Sequence, residues 1–248
     1  MLLNASEISS RLVSDLRLGL PVILYDAGQF VLVAAIETLY AEKLDKITQI
    51  TKSKKFEIAI TNRRAKVLNA RIYNETVTRI SIEEKIDIHL LQAIADPSKD
   101  LDYPLKGPFQ SERDGNFNIA SVSLSLCKKA RLLPASILVN ITSSIRDELI
   151  SAQISECDIK NLKIKSEGAT FLPTLSSAQL PISGHQNISL NVFRELTDLA
   201  EHYAIVFGNP KNTQPVLTRV HSACFTGDLL GSETVSYTHL TLPTTPYV

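Results

Sequence analysis

Apolar positions near the start of the chain recur every three or four residues, which is typical of a helix. Ile8, Leu12 and Leu16 follow this spacing, and Asn4 and Glu7 ahead of them match a capping box. Short runs rich in β-branched residues or with alternating polarity predict strands at 21–25, 56–61, 76–81 and 136–141. Helical spacing predicts helices at 29–44, 62–68, 82–95 and 120–132.

The pattern changes beyond a join at residues 162–179, which contains Gly168 and Pro173. Closely spaced runs with turn residues between them predict strands at 188–196, 203–207 and 216–220. We therefore predict an α+β chain. It has an α/β-like first domain at 1–165, the start of a strand-rich α+β domain at 176–232, and a separate tail at 233–248.

Composition and charge are those of an ordinary globular protein. Hydrophobic residues make up 44% of the chain and charged residues 21%. Because 26 basic side chains balance 26 acidic ones, no overall field attracts nucleic acid or anionic lipid. The basic clusters at 52–55 and 63–66 lack interleaved aromatic residues, which favours a solvated surface over an RNA site. We expect no nucleic-acid partner and no membrane partner.

The three cysteines, Cys127, Cys157 and Cys224, are an odd number and are widely spaced. This distribution argues against a disulfide framework and indicates a reducing compartment. The first residues lack the basic and apolar regions of a signal peptide, and every apolar run is shorter than the roughly 20 residues of a membrane helix. We therefore expect a cytoplasmic protein.

Side chains capable of chemistry are concentrated at residues 215–232. If 216–220 form a strand, Arg219 and His221 share one face, and the arginine can donate two charge-assisted hydrogen bonds to a phosphate. The Cys224 thiolate is a candidate metal ligand, although catalytic zinc needs three protein ligands and a water. A plainer alternative remains open, in which Cys224 is a small buried residue and the other two line a solvated edge.

The same run resembles the signature of GTP cyclohydrolase II. The matching residues are Arg219, Val220, His221, Ser222, Cys224, Thr226, Gly227, Asp228 and Ser232. Upstream, residues 178–181 and 201–204 look like the opening of the family's domain. The resemblance covers about residues 176–232.

This resemblance implies an enzyme of riboflavin biosynthesis. Such an enzyme hydrolyses GTP to a 2,5-diamino-6-ribosylamino-pyrimidinone 5'-phosphate and releases formate and pyrophosphate. It implies that Arg219, Val220, His221 and Ser222 bind GTP and that Cys224 is the first of three zinc ligands. Zinc would lower the pKa of the attacking water, and magnesium would accompany the triphosphate. A homodimer is also expected from the family.

Two departures from the family pattern affect this expectation. Ala223 replaces a glutamate, and after Ser232 the family's Leu-Arg-Cys-Asp-Cys is absent, with no later cysteine in the sequence. The family's catalytic residues, expected downstream of Ser232, also have no counterpart. We therefore expect a truncated, inactive chain in which 233–248 are foreign sequence. The alternative is a non-catalytic module that binds a nucleotide or a partner chain.

The first domain, 1–165, resembles a degenerate 3,4-dihydroxy-2-butanone-4-phosphate synthase. The resemblance lies in Ala93–Pro97, Arg113–Gly115 and the segment from Leu126 to Val139. The acidic loop that holds magnesium in that family is replaced by residues 26–30, and its Gly-His-Thr-Glu by residues 115–118. Without clustered carboxylates a divalent cation lacks its oxygen ligands, so we expect a structural or regulatory domain.

Overall fold

The computed structural model describes residues 4–53, 55–82, 87–162, 172–182, 187–194, 201–211, 213–221 and 230. The chain divides into two compact units, Met1–Ala169 and Thr170–Val248. This division falls between residues 165 and 176, where the sequence pattern changes. Helices together with a mixed sheet and an antiparallel sheet confirm the predicted α+β class.

The first unit has its described helices on both faces of one sheet. The helices are α1 (Ala5–Arg17), α2 (Ala41–Thr51), α3 (Asn62–Val67), α4 (Ile88–Ala95), α5 (Phe117–Lys129) and α6 (Ser143–Ser151), with short 3-10 turns at Pro97–Lys99 and Ile159–Asn161. The strands are β1 (Val22–Asp26), β2 (Gln29–Ala35), β3 (Phe56–Thr61), β4 (Val77–Ile82), β5 (Gln110–Ser111), β6 (Ala135–Ile141) and β7 (Glu156–Asp158). Among the described residues, no helix is long and apolar enough to cross a membrane.

The seven strands lie in the order β5-β4-β3-β6-β2-β1-β7. Neighbours pair antiparallel except β1 and β7, which pair parallel. Because successive side chains of a strand point to opposite faces, the sheet separates two hydrophobic cores. Leu32 and Ala34 of β2 enter the core beneath α2, α3, α4 and α6, whereas Val31 and Val33 enter the core beneath α1 and α5.

The helix predicted at 29–44 is wrong. Residues Gln29–Ala35 form the central strand β2, and α2 begins only at Ala41. Ala27 and Gly28 have φ angles of 47° and 87° and connect Asp26 to Gln29 in a two-residue hairpin turn. Pairing with both β1 and β6 buries this run, and burial in a sheet overrides a weak local preference for helix.

The helix predicted at 82–95 is confirmed from Ile88 to Ala95, residue 82 belongs to a strand, and residues 83–86 lie outside the described residues. Ile82 ends β4, and α4 begins at Ile88 with the Asp87 side chain accepting from the backbone N–H of His89. Ile82 pairs with Phe56 across the sheet, so its apolar side chain belongs to a strand pattern. The runs predicted as strands at 56–61 and 136–141 are strands in the structure.

The second unit contains, in its described part, one antiparallel sheet of β8 (Thr174–Gln179), β9 (Ile188–Arg194) and β10 (Glu201–Phe207), with β9 in the centre. The strand predicted at 188–196 corresponds to β9 as far as Arg194, with 195 and 196 outside the described residues, and the strand predicted at 203–207 corresponds to β10. Strand β8 lies in the segment that the sequence indicated as a join. Ile188 is the one fully buried apolar side chain among the described residues of this unit.

Candidate functional site

The segment that resembles the cyclohydrolase motif is exposed where the structure describes it. Arg219, Val220 and His221 follow β10 and a turn, and all three are exposed. Val220 is 94% exposed, so the hydrophobic residue between the two polar ones is not an anchor in a core. The other predicted site residues, Ser222 and Cys224, lie outside the described residues.

The strand predicted at 216–220 is wrong. Residues 213–221 contain no helix or strand, and Pro215 opens the run with a nitrogen that cannot donate to a ladder. Leu217 is 97% exposed, so the apolar residues of this run have no described core to pack against. Strand alternation therefore gives no reason to place Arg219 and His221 on a common face.

Strands β9 and β10 hold a polar cluster at the start of the family-like stretch 201–204. Arg194 forms an ion pair with Glu201, and the Tyr203 hydroxyl donates to the Glu201 carboxylate at 2.7 Å. The hydrogen bond from Arg194, followed by that from Tyr203, lowers the pKa of Glu201. The hydrogen bond to Glu201 raises the pKa of Tyr203. This pairing links β9 to β10 at one end of the sheet.

The same face of this sheet carries exposed apolar side chains. Tyr203, Ile205 and Phe207 alternate along β10 and are 62%, 54% and 64% exposed. They lie opposite Val192, Leu190 and Ile188 of β9 in the antiparallel register. Because paired residues point to the same side, these six side chains form one continuous apolar face.

The first unit brings together the two stretches in which the synthase-like residues are replaced. The buried Asp26 carboxylate accepts from the Asn116 amide at 2.8 Å and from the Asn118 amide at 3.3 Å. The Asn116 side chain also caps α5 by accepting from the backbone N–H of Asn118 and Ile119. The Asp26 carboxylate is thus held by two amide donors, and within the described residues it belongs to no group of three or more potential metal ligands.

Metal ligands do not cluster anywhere in the described part of the chain. It contains no group of three or more His, Cys, Asp or Glu side chains that could hold a metal ion. Burial raises the pKa of Cys127 to about 12 and that of Cys157 to about 11. Both thiols lie in the core beneath α1 and α5, so neither is available as a thiolate ligand.

A buried ionic cluster was not signalled by the sequence. The Arg79 guanidinium lies 3.1 Å from the Glu57 carboxylate, donates to the Asp114 carbonyl and stacks 4.5 Å from the centre of the Phe117 ring. Burial raises the pKa of Glu57, and the charge of Arg79 opposes this shift. A Cβ at Gly115 would lie 2.8 Å from Arg79, which explains the glycine in this turn. Arg79 and Glu57 lie on different strands and belong to no sequence motif, so the sequence gives no sign that they form an ion pair.

Comparison with known proteins supports the motif-based interpretation of the second unit. The profile of the family described as GTP cyclohydrolase II matches residues 174–240. The resemblance to GTP cyclohydrolase II is confirmed. The match encloses every residue predicted to bind GTP or zinc. It ends inside the 233–248 segment, whose foreign origin stays a prediction.

Relatives named for GTP cyclohydrolase II or riboflavin biosynthesis align over much of the chain. "GTP cyclohydrolase-2" of Azospirillum brasilense is 28% identical over 235 residues, covering 91% of this chain and 60% of that protein. "Riboflavin biosynthesis protein RibBA" of Parabacteroides distasonis is 30% identical over 180 residues, covering 65% of this chain and 44% of that protein. The chain thus spans 60% or less of these GTP cyclohydrolase II relatives.

A solved structure is also similar to the chain. It is RibBX of A. baumannii, a two-domain 3,4-dihydroxy-2-butanone 4-phosphate synthase. The TM-score is 0.49 and the sequence identity 16%, and the likeness covers 81% of this chain and 70% of that one.

Proposed function

We propose that the chain is part of a GTP cyclohydrolase II of riboflavin biosynthesis, in which Arg219, Val220, His221 and Ser222 bind GTP and Cys224 binds zinc. The observation that carries this proposal is the family match over 174–240, which contains all five residues. The exposure of residues 219–221 supports it as well, because a triphosphate must reach these side chains from solvent.

In this proposal each residue has a definite role toward the nucleotide. The Arg219 guanidinium donates two parallel hydrogen bonds to a phosphate, which a lysine ammonium cannot reproduce. His221 and Ser222 add donors around the same phosphates, and magnesium neutralises the rest of the triphosphate charge. Zinc, when bound, supplies a water of lowered pKa for hydrolysis of the guanine imidazole ring, with release of formate and pyrophosphate.

We propose that the 248-residue chain on its own binds GTP without hydrolysing it. Its sequence has three cysteines, and Cys127 and Cys157 are enclosed in the first unit's core as protonated thiols. Cys224 is then the one thiolate left for zinc, whereas a catalytic site needs three protein ligands. This argument also favours the second candidate, a non-catalytic nucleotide-binding module.

For the first unit we propose a structural or regulatory role without magnesium chemistry. The Asn116 and Asn118 amides both donate to Oδ2 of Asp26, and an amide N–H donor repels a cation where a ligand oxygen would attract it. We further propose a homodimer in the cytoplasm for the complete enzyme, on the basis of the family resemblance.

Calorimetric titration of the chain with GTP and magnesium tests the nucleotide site. We expect Arg219→Lys to weaken binding by roughly tenfold or more, because one bidentate charge-assisted contact is lost although the charge is kept. Lys211→Ala is the control for general charge, since Lys211 is also an exposed cation of the second unit and lies outside the motif. Unchanged binding by Arg219→Lys together with weakening by Lys211→Ala would mean that GTP is held by general charge, which contradicts the proposal.

A variant with Leu-Arg-Cys-Asp-Cys in place of residues 233–237 distinguishes the two candidate functions. The chain is extended with this tail and with the remainder of a relative's domain. If the extended chain releases formate from GTP, the result supports the enzymatic function. Binding of GTP with zinc bound but without formate supports the non-catalytic module. Cys224→Ser in the extended chain is the control, because it removes one zinc ligand and leaves Arg219 intact.

A further inference from the structure

A cavity of about 510 Å³ lies in the first unit, between the end of α3 and the loop after the 3-10 turn Pro97–Lys99. Its volume is within the range of about 300–1,000 Å³ that is usual for small-molecule sites. Leu68, Tyr103, Leu105 and Phe109 are among its apolar lining residues, and Asp100 and Lys106 are its charged ones. None of these residues belongs to the segment proposed to bind GTP.

The polar end of the cavity is held rigidly by a buried arginine. Arg64 donates to both carboxylate oxygens of Asp100, at 2.7 and 2.6 Å, and is itself 8% exposed. It also donates to the carbonyls of Ala93 and Ile94 at the end of α4. Lys106 completes the arrangement with an ion pair to Asp100. The carboxylate position is thus fixed by two cations and by the end of α4.

Two cations compensate the one carboxylate at the cavity wall. Asp100 and Lys106 line the cavity and Arg64 lies behind Asp100, and the three side chains together carry a net charge of +1. Hydrogen bonds from Arg64 and then Lys106 hold the pKa of Asp100 far below its ordinary value, so its own charge is constant near neutral pH. Asp100 therefore accepts from both cations throughout this pH range.

The ammonium of Lys106 has donors to spare. Its side chain is only 5% exposed, and among the described residues Asp100 is its one recorded acceptor. An ammonium has three N–H donors, so Lys106 can donate to a further oxygen while it keeps its bond to Asp100. An oxygen of a ligand in the cavity is a suitable acceptor.

We propose that this cavity binds a small amphipathic anion, with an apolar body against Leu68, Tyr103 and Phe109 and a carboxylate, sulfonate or phosphate at Lys106. The apolar wall favours a ring-sized hydrophobic body, and the remaining N–H donors of Lys106 can bind the anionic head while Arg64 compensates Asp100. The proposal concerns the first unit alone and does not depend on GTP binding.

Fluorescence titration with anilinonaphthalene sulfonate, an aromatic anion of suitable size, tests the site. Lys106→Met removes the ammonium and keeps most of the side chain's length. Leu105→Asp puts a carboxylate at the cavity wall without disturbing a core, because Leu105 is 94% exposed. Leu101→Asp is the matched control, since Leu101 is 93% exposed and does not line the cavity.

We expect Lys106→Met to weaken binding of the dye by roughly tenfold, because a charge-assisted hydrogen bond is lost. Leu105→Asp should weaken it by a similar factor, because the new carboxylate repels the sulfonate, and Leu101→Asp should have no effect. Neutral phenylnaphthylamine, which lacks the sulfonate, should bind the parent chain more weakly and ignore Lys106→Met. Equal affinities of the two aspartate variants, or equal binding of both dyes, would overturn the proposal. If Lys106→Met fails to fold, the aspartate pair alone decides.

Discussion

The two units of the chain differ in what holds them together and in what chemistry they carry. The first unit has two hydrophobic cores on either side of a seven-stranded sheet. The described part of the second unit has three strands, one fully buried apolar side chain, and an apolar face on which the β10 side chains are exposed. Yet the motif that resembles a catalytic family lies in the second unit.

This contrast separates two kinds of information in a sequence. A core depends on many apolar positions at the right period, so it persists when single polar residues change. A metal or phosphate site depends on a few exact side chains, so one replacement removes it. In the first unit the fold is intact while Asp26 has two amides instead of further carboxylates. In the second unit Arg219 and His221 keep the motif on an exposed segment.

The same substitution made in both units is the strongest test of the difference in packing between them. Ile58→Ala empties a fully buried position in β3, and we expect a loss of roughly 2–5 kcal/mol in the free energy of unfolding. Ile205→Ala removes a side chain that is 54% exposed in β10, and we expect a loss of about 1 kcal/mol or less. Urea denaturation followed by circular dichroism measures both.

A large loss for Ile205→Ala would mean that the apolar face of the second unit is covered in solution. The comparison between a well-packed and a sparsely packed unit would then be wrong. A small loss for Ile58→Ala would contradict the two-core description of the first unit.

Local signals in the sequence were sufficient for several elements of the fold. The capping box was predicted from Asn4 and Glu7 alone, and both reciprocal hydrogen bonds are present, at 3.0 and 2.7 Å. Strand β3 was predicted at 56–61 because its alternation is regular. Strand β2 was not predicted, because it is a strand through its pairing with β6, which lies more than a hundred positions away in the sequence. The hydrogen bond between the Gln29 and Asn140 side chains, 111 positions apart, illustrates this distance.

The candidate sites divide in the same way. Arg219 to Cys224 were found because the motif is contiguous. The cavity cluster was not, because Arg64 and Asp100 lie 36 positions apart and neither belongs to a recognisable pattern. Likewise the meeting of Asp26 with Asn116, 90 positions away, depends on how β1 and α5 pack. Distant pairs of ordinary polar residues carry no signal until the fold brings them together.

A second prediction concerns the buried arginine of the first unit. We expect Arg64→Met to lower the free energy of unfolding by about 3 kcal/mol, because Asp100 and the carbonyls at the end of α4 lose their donor. The neighbouring Arg63 is exposed, so Arg63→Met should change stability by no more than about 0.5 kcal/mol. Chemical denaturation of the two variants measures the difference, and equal values would contradict the clamp described for Asp100.

A third, smaller effect tests the proposal that the first unit has a structural or regulatory role without magnesium chemistry. Asn116→Ala removes both the cap of α5 and a donor to the buried Asp26, and we expect a loss of about 1–2 kcal/mol. Asn140→Ala is the control, because Asn140 is exposed and bonded only to the exposed Gln29 side chain among the contacts described. Thermal unfolding of both variants, with and without magnesium, measures this. Stabilisation of the parent chain by magnesium would contradict the proposal that the first unit lacks magnesium chemistry.

The smallest expected effect concerns the polar end of the second unit's sheet. The pKa of Glu201 is lowered from its ordinary value near 4.5, first by the hydrogen bond from Arg194 and then by that from Tyr203. A carboxyl with a lowered pKa stabilises the folded state above its unfolded pKa, and this contribution is lost as the pH falls through the folded value. Since Glu201 is exposed, solvent screens the effect on stability, and the pKa itself is the better observable.

Arg194→Met should therefore raise the pKa of Glu201 toward its ordinary value, and Tyr203→Phe should raise it less, because the arginine is the larger cause. A carbon-13 NMR titration of the glutamate carboxyls measures both shifts in the folded chain. If Glu201 already titrates at its ordinary value in the parent chain, the ion pair that joins β9 to β10 does not persist in solution. The second unit's described sheet would then be held by backbone pairing and its half-buried apolar side chains alone, which would widen its difference from the first unit.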